Sequence, residues 1–322
     1  MYHPKPKSLA QTIDVISASR LSNYKAFFKP NDDHELYGLY CWNDAVSSCF
    51  MRLIGIVEIS LRNRFHSALS QELWVAGTSV GTQDSNDWYN HLNLPQKSFE
   101  KIQEITHDIT WPGGVKKIKP KPRQPNCNQV ISSMTYGFWP KLLDVTNIDW
   151  GVILPNVFRG HHQTSDIYWR RLVSQDSIYA RLVLIGNLRN RVAHFEPLWK
   201  LKDLNEEKRQ RSGITINVVR AAPTNAIEAI EYLKILHRNI SQLLHWLSKE
   251  RALDYAECEI NTRLQFLLTE NALDQFKKST TYKSVRLGSM TKSWGGKLSF
   301  KEGTPLLVHH KKKVAGIFYP TL

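Results

Sequence analysis

Cysteine is scarce in this chain. Its 322 residues hold four, at Cys41, Cys49, Cys127 and Cys258. None forms a Cys-x-x-Cys pair, and none stands beside histidines at zinc spacing. Cys41 and Cys49 fall in one expected helix, too far apart to bridge. The four read as small buried hydrophobes in a reducing compartment. Long apolar runs are missing too. No stretch approaches the roughly 20 residues that span a bilayer, and Met1-Tyr-His-Pro-Lys-Pro-Lys leads into no apolar signal core. The expected location is therefore the cytoplasm, with no membrane partner. There is no Gly-rich phosphate loop of either common type and no repeat of 20–50 residues. Acid is in short supply: 29 Asp and Glu face 43 Lys and Arg, a formal net charge of +14. Such an excess favours an anionic partner, nucleic acid first and an anionic membrane surface next.

What is present is a folded, helical chain. Hydrophobic residues make up 42% and aromatics 11%, enough to bury a real core. Helical spacing predicts a helix over Ser8–Phe28, on Leu9, Ile13, Ile16 and Leu21. A long one is expected over Glu35–Leu73, with Leu53, Ile56, Val57, Ile59 and Leu61 as its apolar face. Ala76–Leu94 reads as loop, Pro95–Ile109 and Asn126–Asp144 as helix, and Val152–Phe158 as a short apolar segment. Further helices are expected over Ser174–Ala193, Asn225–Leu247 and Leu253–Phe276. Glu206 to Gly213 reads as an exposed charged loop. From Thr281 the runs at Ser284, Lys297, Leu306 and Val314 are short and strand-like. The expected organisation is a mostly α domain over 1–253 and an extension over 254–322, helix first and then partly β.

The chemistry concentrates in Leu188-Arg-Asn-Arg-Val-Ala-His-Phe-Glu-Pro-Leu-Trp199. It follows the apolar run from Ile178, and Pro197 stops the helix. Arg189 and Asn190 then sit near the end of a buried helix, with His194 at or just past its last turn. A guanidinium grips phosphate oxygens through a rigid fork, and an imidazole trades a proton near neutral pH. Asn190 and His194 are four apart, so the amide can orient the ring. Arg189 and His194 are five apart, about 140° around an ideal helix. They converge only if the helix ends between them or a second copy contributes. The bland alternative is an arginine capping the helix and a histidine packed on Trp199.

Other candidates are weaker. Arg238 and His245 share one face of the 225–247 helix and read as its exposed flank. Glu58 and Arg62 are four apart and read as a helix-surface salt bridge. His161 and His162 have no third ligand at metal spacing. The run Lys116-Lys117-Ile-Lys119-Pro-Lys121-Pro-Arg123 is a proline-spaced basic linker. It is either a solvated loop or a contact to a phosphate backbone, as Arg191 is in the motif itself. Lys311 to Lys313 is a short charge run, usually a solvated face.

The 188–199 string resembles the signature of the Abi-like (abortive infection) proteins of bacteria, within the HEPN superfamily of helical domains. Two further stretches fit the same pattern in the same order: Arg20-Leu-Ser-Asn-Tyr followed by Glu58-Ile-Ser-Leu-Arg62, and Val130-Ile-Ser-Ser-Met-Thr-Tyr-Gly-Phe-Trp139. The resemblance covers about Leu9 to Trp246. It implies a HEPN-like helical bundle and, in many members, an endoribonuclease that uses no metal and no cofactor. Arg189 would then bind the scissile phosphate and His194 act as general acid or base. It also implies a symmetric homodimer with a composite site, RNA as substrate, and a structured RNA antitoxin as partner. Some HEPN toxins carry a tyrosine two residues past the histidine, which a partner enzyme adenylylates. Glu196 stands there, so that control is not expected. A scaffold that binds RNA without cutting it is the other functional class.

Overall fold

The computed structural model describes residues 6–278, together with strands at 283–286, 306–310 and 313–318. The described chain is mostly helical. Two short helices, α1 (Leu9–Ile16) and α2 (Ala18–Phe28), replace the single one expected. Ser17 separates them with φ 82°, and its hydroxyl caps α2.

The centre of the molecule is α3 (Asp33–Leu73), a helix of 41 residues and so about 60 Å long. Asp32 starts it by accepting from the Glu35 N–H at 2.8 Å, and Asp33 and Glu35 suit the positive end of the helix. Leu36, Leu39, Val46, Phe50, Leu53, Val57, Leu61 and Phe65 are fully buried along it. That continuous stripe is why so long a helix stays packed at every level.

Around α3 stand α4 (Gln96–Thr106), α5 (Cys127–Ser132), α6 (Phe138–Leu142), α7 (Trp150–Val157), α8 (Asp166–Arg170), α9 (Leu172–Ala193) and α10 (Ala226–Leu247). The expected helix over Leu253–Phe276 is three: α11 (Lys249–Glu257), α12 (Glu259–Leu267) and α13 (Glu270–Lys277). Cys258 takes an extended conformation and the Thr269 hydroxyl caps α13. These helices share the core of the rest. Trp42 Nε1 donates to the Leu267 carbonyl at 2.8 Å. Gly38 lets α13 lie against α3, since a Cβ there would come 1.9 Å from the Phe276 carbonyl oxygen.

Short antiparallel ribbons decorate the helices. The expected loop over 76–94 contains β1 (Gly81–Thr82) and β2 (Ser85–Asn86). The basic linker is half strand: β3 (His107–Thr110) pairs with β4 (Lys117–Pro120). A third pair joins β5 (Leu204–Asn205) to β6 (Val218–Arg220). In the C-terminal extension β7 (Lys283–Arg286) pairs parallel with β8 (Leu306–His310), which pairs antiparallel with β9 (Lys313–Phe318). The strand-like run at Lys297 and the Lys311–Lys312 part of the charge run lie outside the described residues. Among the described residues no helix is long and apolar enough to cross a membrane.

Candidate active site

The twelve-residue motif begins on α9 and ends in the core. Two backbone bonds close α9: Phe195 N–H to the Val192 carbonyl at 3.1 Å and Glu196 N–H to the Arg191 carbonyl at 2.9 Å. This is a Schellman turn with the left-handed position at Phe195, φ 54°. Glycine usually takes that place, because a side chain costs about 1–2 kcal/mol there. The helix therefore ends at Ala193, four residues before Pro197, and His194 is its C-cap.

Beyond the turn the chain is pinned. Leu198 N–H donates to the buried Asn43 Oδ1 at 2.9 Å. Trp199 is 2% exposed and meets Tyr24 at 4.4 Å and Phe28 at 4.7 Å between ring centroids, both edge-on. Arg20, on α2, donates from Nη1 to the Phe195 carbonyl at 2.5 Å. The turn that presents His194 is thus gripped from α2 and α3. Trp199 packs on aromatics of α2 and α3, and the His194 ring is exposed.

Arg189 is half-buried and faces α3. Its Nε lies 3.9 Å from Glu58 Oε2, and Arg62 Nη2 lies 3.8 Å from Glu58 Oε1. One carboxylate therefore stands between two guanidinium groups. Both separations exceed the roughly 2.7–2.9 Å of a charge-assisted hydrogen bond. Glu58 holds Arg189 by charge, without occupying its donor fork.

Tyr136 packs beside this group. Its ring crosses α9 at Gly186, where a Cβ would lie 3.1 Å from Cε1. Burial first, and the Glu58 charge next, push its hydroxyl pKa far up. Among the described residues neither the Tyr136 hydroxyl nor Arg62 Nε has a hydrogen-bond partner, although both atoms are buried.

The other expected residues are dispersed. The Asn190 side chain is exposed, and no bond to the His194 ring is present. Only its carbonyl accepts, from His194 N–H at 2.9 Å. Asn190 instead lines a groove of about 910 Å³ with Asn187, Arg191, Glu196 and Tyr179. Arg191 is engaged locally, by Glu196 at 3.3 Å and the Pro197 carbonyl at 3.3 Å. Lys116, Lys117, Lys119 and Arg123 are exposed on or next to the β3–β4 ribbon, whereas Lys121 Nζ is tied to the Ile105 carbonyl at 2.8 Å. Arg238 and His245 are both exposed on α10. Among the described residues no three His, Cys, Asp or Glu side chains gather as a metal site.

The 206–213 segment is not a free loop. Alternate side chains reach inward: Glu207 to Arg181 at 2.7 Å, Arg209 to Asp144, and Arg211 to Asp176 at 2.7 Å. Its alternating charges are therefore a strap over α9.

A family model describing the Abi-like proteins matches residues 11–200. The chain belongs to the Abi-like protein family. No curated protein and no solved structure matches it significantly. The family segment contains the Glu58, Arg62, Arg189 and Tyr136 cluster, and also Arg20 and His194 at the end of α9. Sequence spacing could not assign Glu58 to Arg189, because an i,i+4 pair explains Glu58 and Arg62 without a third residue.

Proposed function

We propose that this Abi-like protein is an endoribonuclease toxin of phage defence by abortive infection, of the HEPN type, working without a metal. One observation carries the reading. Arg189 is held from α3 with its fork free, while His194 stands exposed at the helix end beside it in sequence. Arg189 binds the scissile phosphate and neutralises the charge that builds on it. His194 transfers the proton. The ribose 2′-OH loses its proton and its oxygen bonds to phosphorus; the bond to the 5′-oxygen breaks and that oxygen takes up a proton. The products are a 2′,3′-cyclic phosphate and a 5′-OH end.

Asn190 lies on the groove side of α9 and serves substrate placement rather than the orientation of His194. Arg189 and His194 stand about 140° apart around the end of α9, so a second copy completes the site in a symmetric homodimer. The exposed apolar residues Ile59 and Phe195 adjoin Glu58 and His194 in sequence, Met51 lies two turns before Glu58 on α3, and they supply a face for that copy. RNA is the substrate, and a structured RNA is the expected antitoxin, in keeping with the net charge of +14.

The test is growth of bacteria on induction of the natural protein and of His194→Ala. Arrest by the natural protein alone is expected. Arrest by both removes His194 from the chemistry. If both are harmless, the protein is either a non-cleaving RNA scaffold or a ribonuclease that needs a trigger, and cleavage in vitro with EDTA present separates the two.

A further inference from the structure

The β3–β4 ribbon is built unlike the rest of the molecule. Every residue from Trp111 to Pro120 is exposed. Among the described residues Trp74, at the end of α3, is half-buried and the other tryptophans are interior, with one exception. Trp42, Trp88, Trp139, Trp150, Trp169, Trp199 and Trp246 are buried, and Trp111 is 62% exposed. Gly113 and Gly114, both at positive φ, turn the chain at the tip, and no heavy atom approaches either within 4 Å of a notional Cβ. The tip is open to a large partner.

The register separates two faces. Ile109 pairs with Ile118, whereas Thr110 pairs with Lys117 and Asp108 with Lys119. Side chains alternate across a strand, so Lys117 and Lys119 share the face away from the two isoleucines. Lys116 adds charge toward the tip and Arg123 at the foot. None of Lys116, Lys117, Lys119 or Arg123 has an ion pair among the described residues. The foot is fixed: Lys121 N–H donates to the Thr106 carbonyl at 3.0 Å and Lys121 Nζ to the Ile105 carbonyl at 2.8 Å. Asp108 and Thr110 share the face of Lys117 and Lys119, and Trp111 and Lys116 stand one step beyond the ladder, in register with the isoleucines at the tip. A narrow ribbon that offers an exposed indole at its tip and lysines without ion pairs along it, on a mount fixed to α4, is the chemistry that takes a flexible anionic strand able to wrap it. The indole stacks on a base and the ammonium groups track the phosphates.

We infer that the ribbon at 107–120 is a docking site for single-stranded RNA, with Trp111 stacking on a base and Lys116, Lys117 and Lys119 on the backbone, separate from the Arg189–His194 chemistry. Only the choice of RNA over other single strands rests on the ribonuclease reading.

The test uses the full chain and a fluorescein-labelled 12-nucleotide oligouridylate, read by anisotropy across a salt series, beside a duplex of equal length. Trp111→Ala is expected to weaken binding of the single strand roughly 5- to 100-fold, and Trp111→Phe to restore most of it. Replacing Lys116, Lys117 and Lys119 together by Ala is expected to lower the slope of log K on log salt by about 2. All lie on exposed positions, and unchanged circular dichroism checks the fold. Binding that ignores Trp111→Ala overturns the inference, as does equal loss for strand and duplex. Cosedimentation with phosphatidylserine vesicles that vanishes in Trp111→Ala, without loss of RNA binding, also overturns it and makes the ribbon a membrane contact. His194→Ala, which removes a proton-transfer group and no phosphate grip, is expected to keep the Trp111-dependent binding of the oligonucleotide. If it does so and cuts RNA like the natural protein, the assignment of His194 to cleavage fails while the docking site stands.

Discussion

The crossing of α3 and α9 and the ribbon at 107–120 both carry unusual charge, yet they are made in opposite ways. At the crossing, Glu58 sits half-buried between Arg62 and Arg189, and a strained turn at Phe195 is gripped by Arg20. The placement of Arg189 and of the turn there depends on tertiary contact. At the ribbon, lysines and one tryptophan face water, and only the foot is tied down. The first region fixes where an arginine and a histidine stand. The second offers charge and a ring to whatever comes. Substitution is therefore expected to cost stability or turnover at the crossing and affinity at the ribbon.

The largest expected contrast lies between two tryptophans. Trp199→Ala empties a pocket of four aromatic neighbours and is expected to cost about 3–5 kcal/mol. Trp111→Ala is expected to move stability by no more than about 0.5 kcal/mol. Urea titration of both variants measures the difference, and a similar cost for the two would erase it.

Glu58→Gln comes next. It leaves two guanidinium groups without the charge that holds Arg189. RNA cleavage in single turnover is expected to fall by up to about a hundredfold through misplacement of the fork, with RNA affinity unchanged. A loss of affinity in place of rate would make Glu58 a binding element and blur the contrast.

Phe195→Gly should go the other way. The side chain is 64% exposed, so little burial is lost, and relief of the left-handed strain is expected to stabilise by about 0.5–1 kcal/mol. Destabilisation in the same titration would show that the phenylalanine is fixed by a contact worth more than its strain.

The last effect is absent at neutral pH and emerges only in acid. His161 is held down to about 4, mainly by burial and then by the His162 and Arg181 charges. An unfolded histidine titrates near 6.5. Between those values the unfolded chain takes up a proton that the folded one refuses, so stability is complete above about 6.5 and falls as pH drops toward 4. His161→Asn keeps an acceptor for the Gln163 N–H, which donates to Nδ1 at 3.0 Å, and is expected to flatten that fall in melting temperature between pH 7 and 4.

Much of the fold was legible in the sequence because its large helices repeat on one period. The apolar stripes of α3, α9 and α10 mark them within a few residues. Breaks set by a single backbone position were not. Nothing in Ser17 or Cys258 announces a helix boundary, because a serine or cysteine also fits inside a helix. The ribbon was hidden by its prolines, which exclude helix but not an exposed two-stranded edge. At the candidate site the arginine and the histidine could be read from one string, and the helix end from Pro197, although the turn at Phe195 ends it first. Glu58 and Tyr136 could not be placed there. Their partners lie on another helix, and spacing within α3 accounts for Arg62 alone.

The most direct measurement is the end chemistry of RNA cut by the purified protein in EDTA, with His194→Ala beside it. Fragments with 2′,3′-cyclic phosphate and 5′-OH ends from the natural protein, and intact RNA still bound by the variant, are expected. Equal cutting by both proteins, or no cutting by the natural one under conditions where it arrests growth, would contradict the assignment of Arg189 and His194 to RNA cleavage.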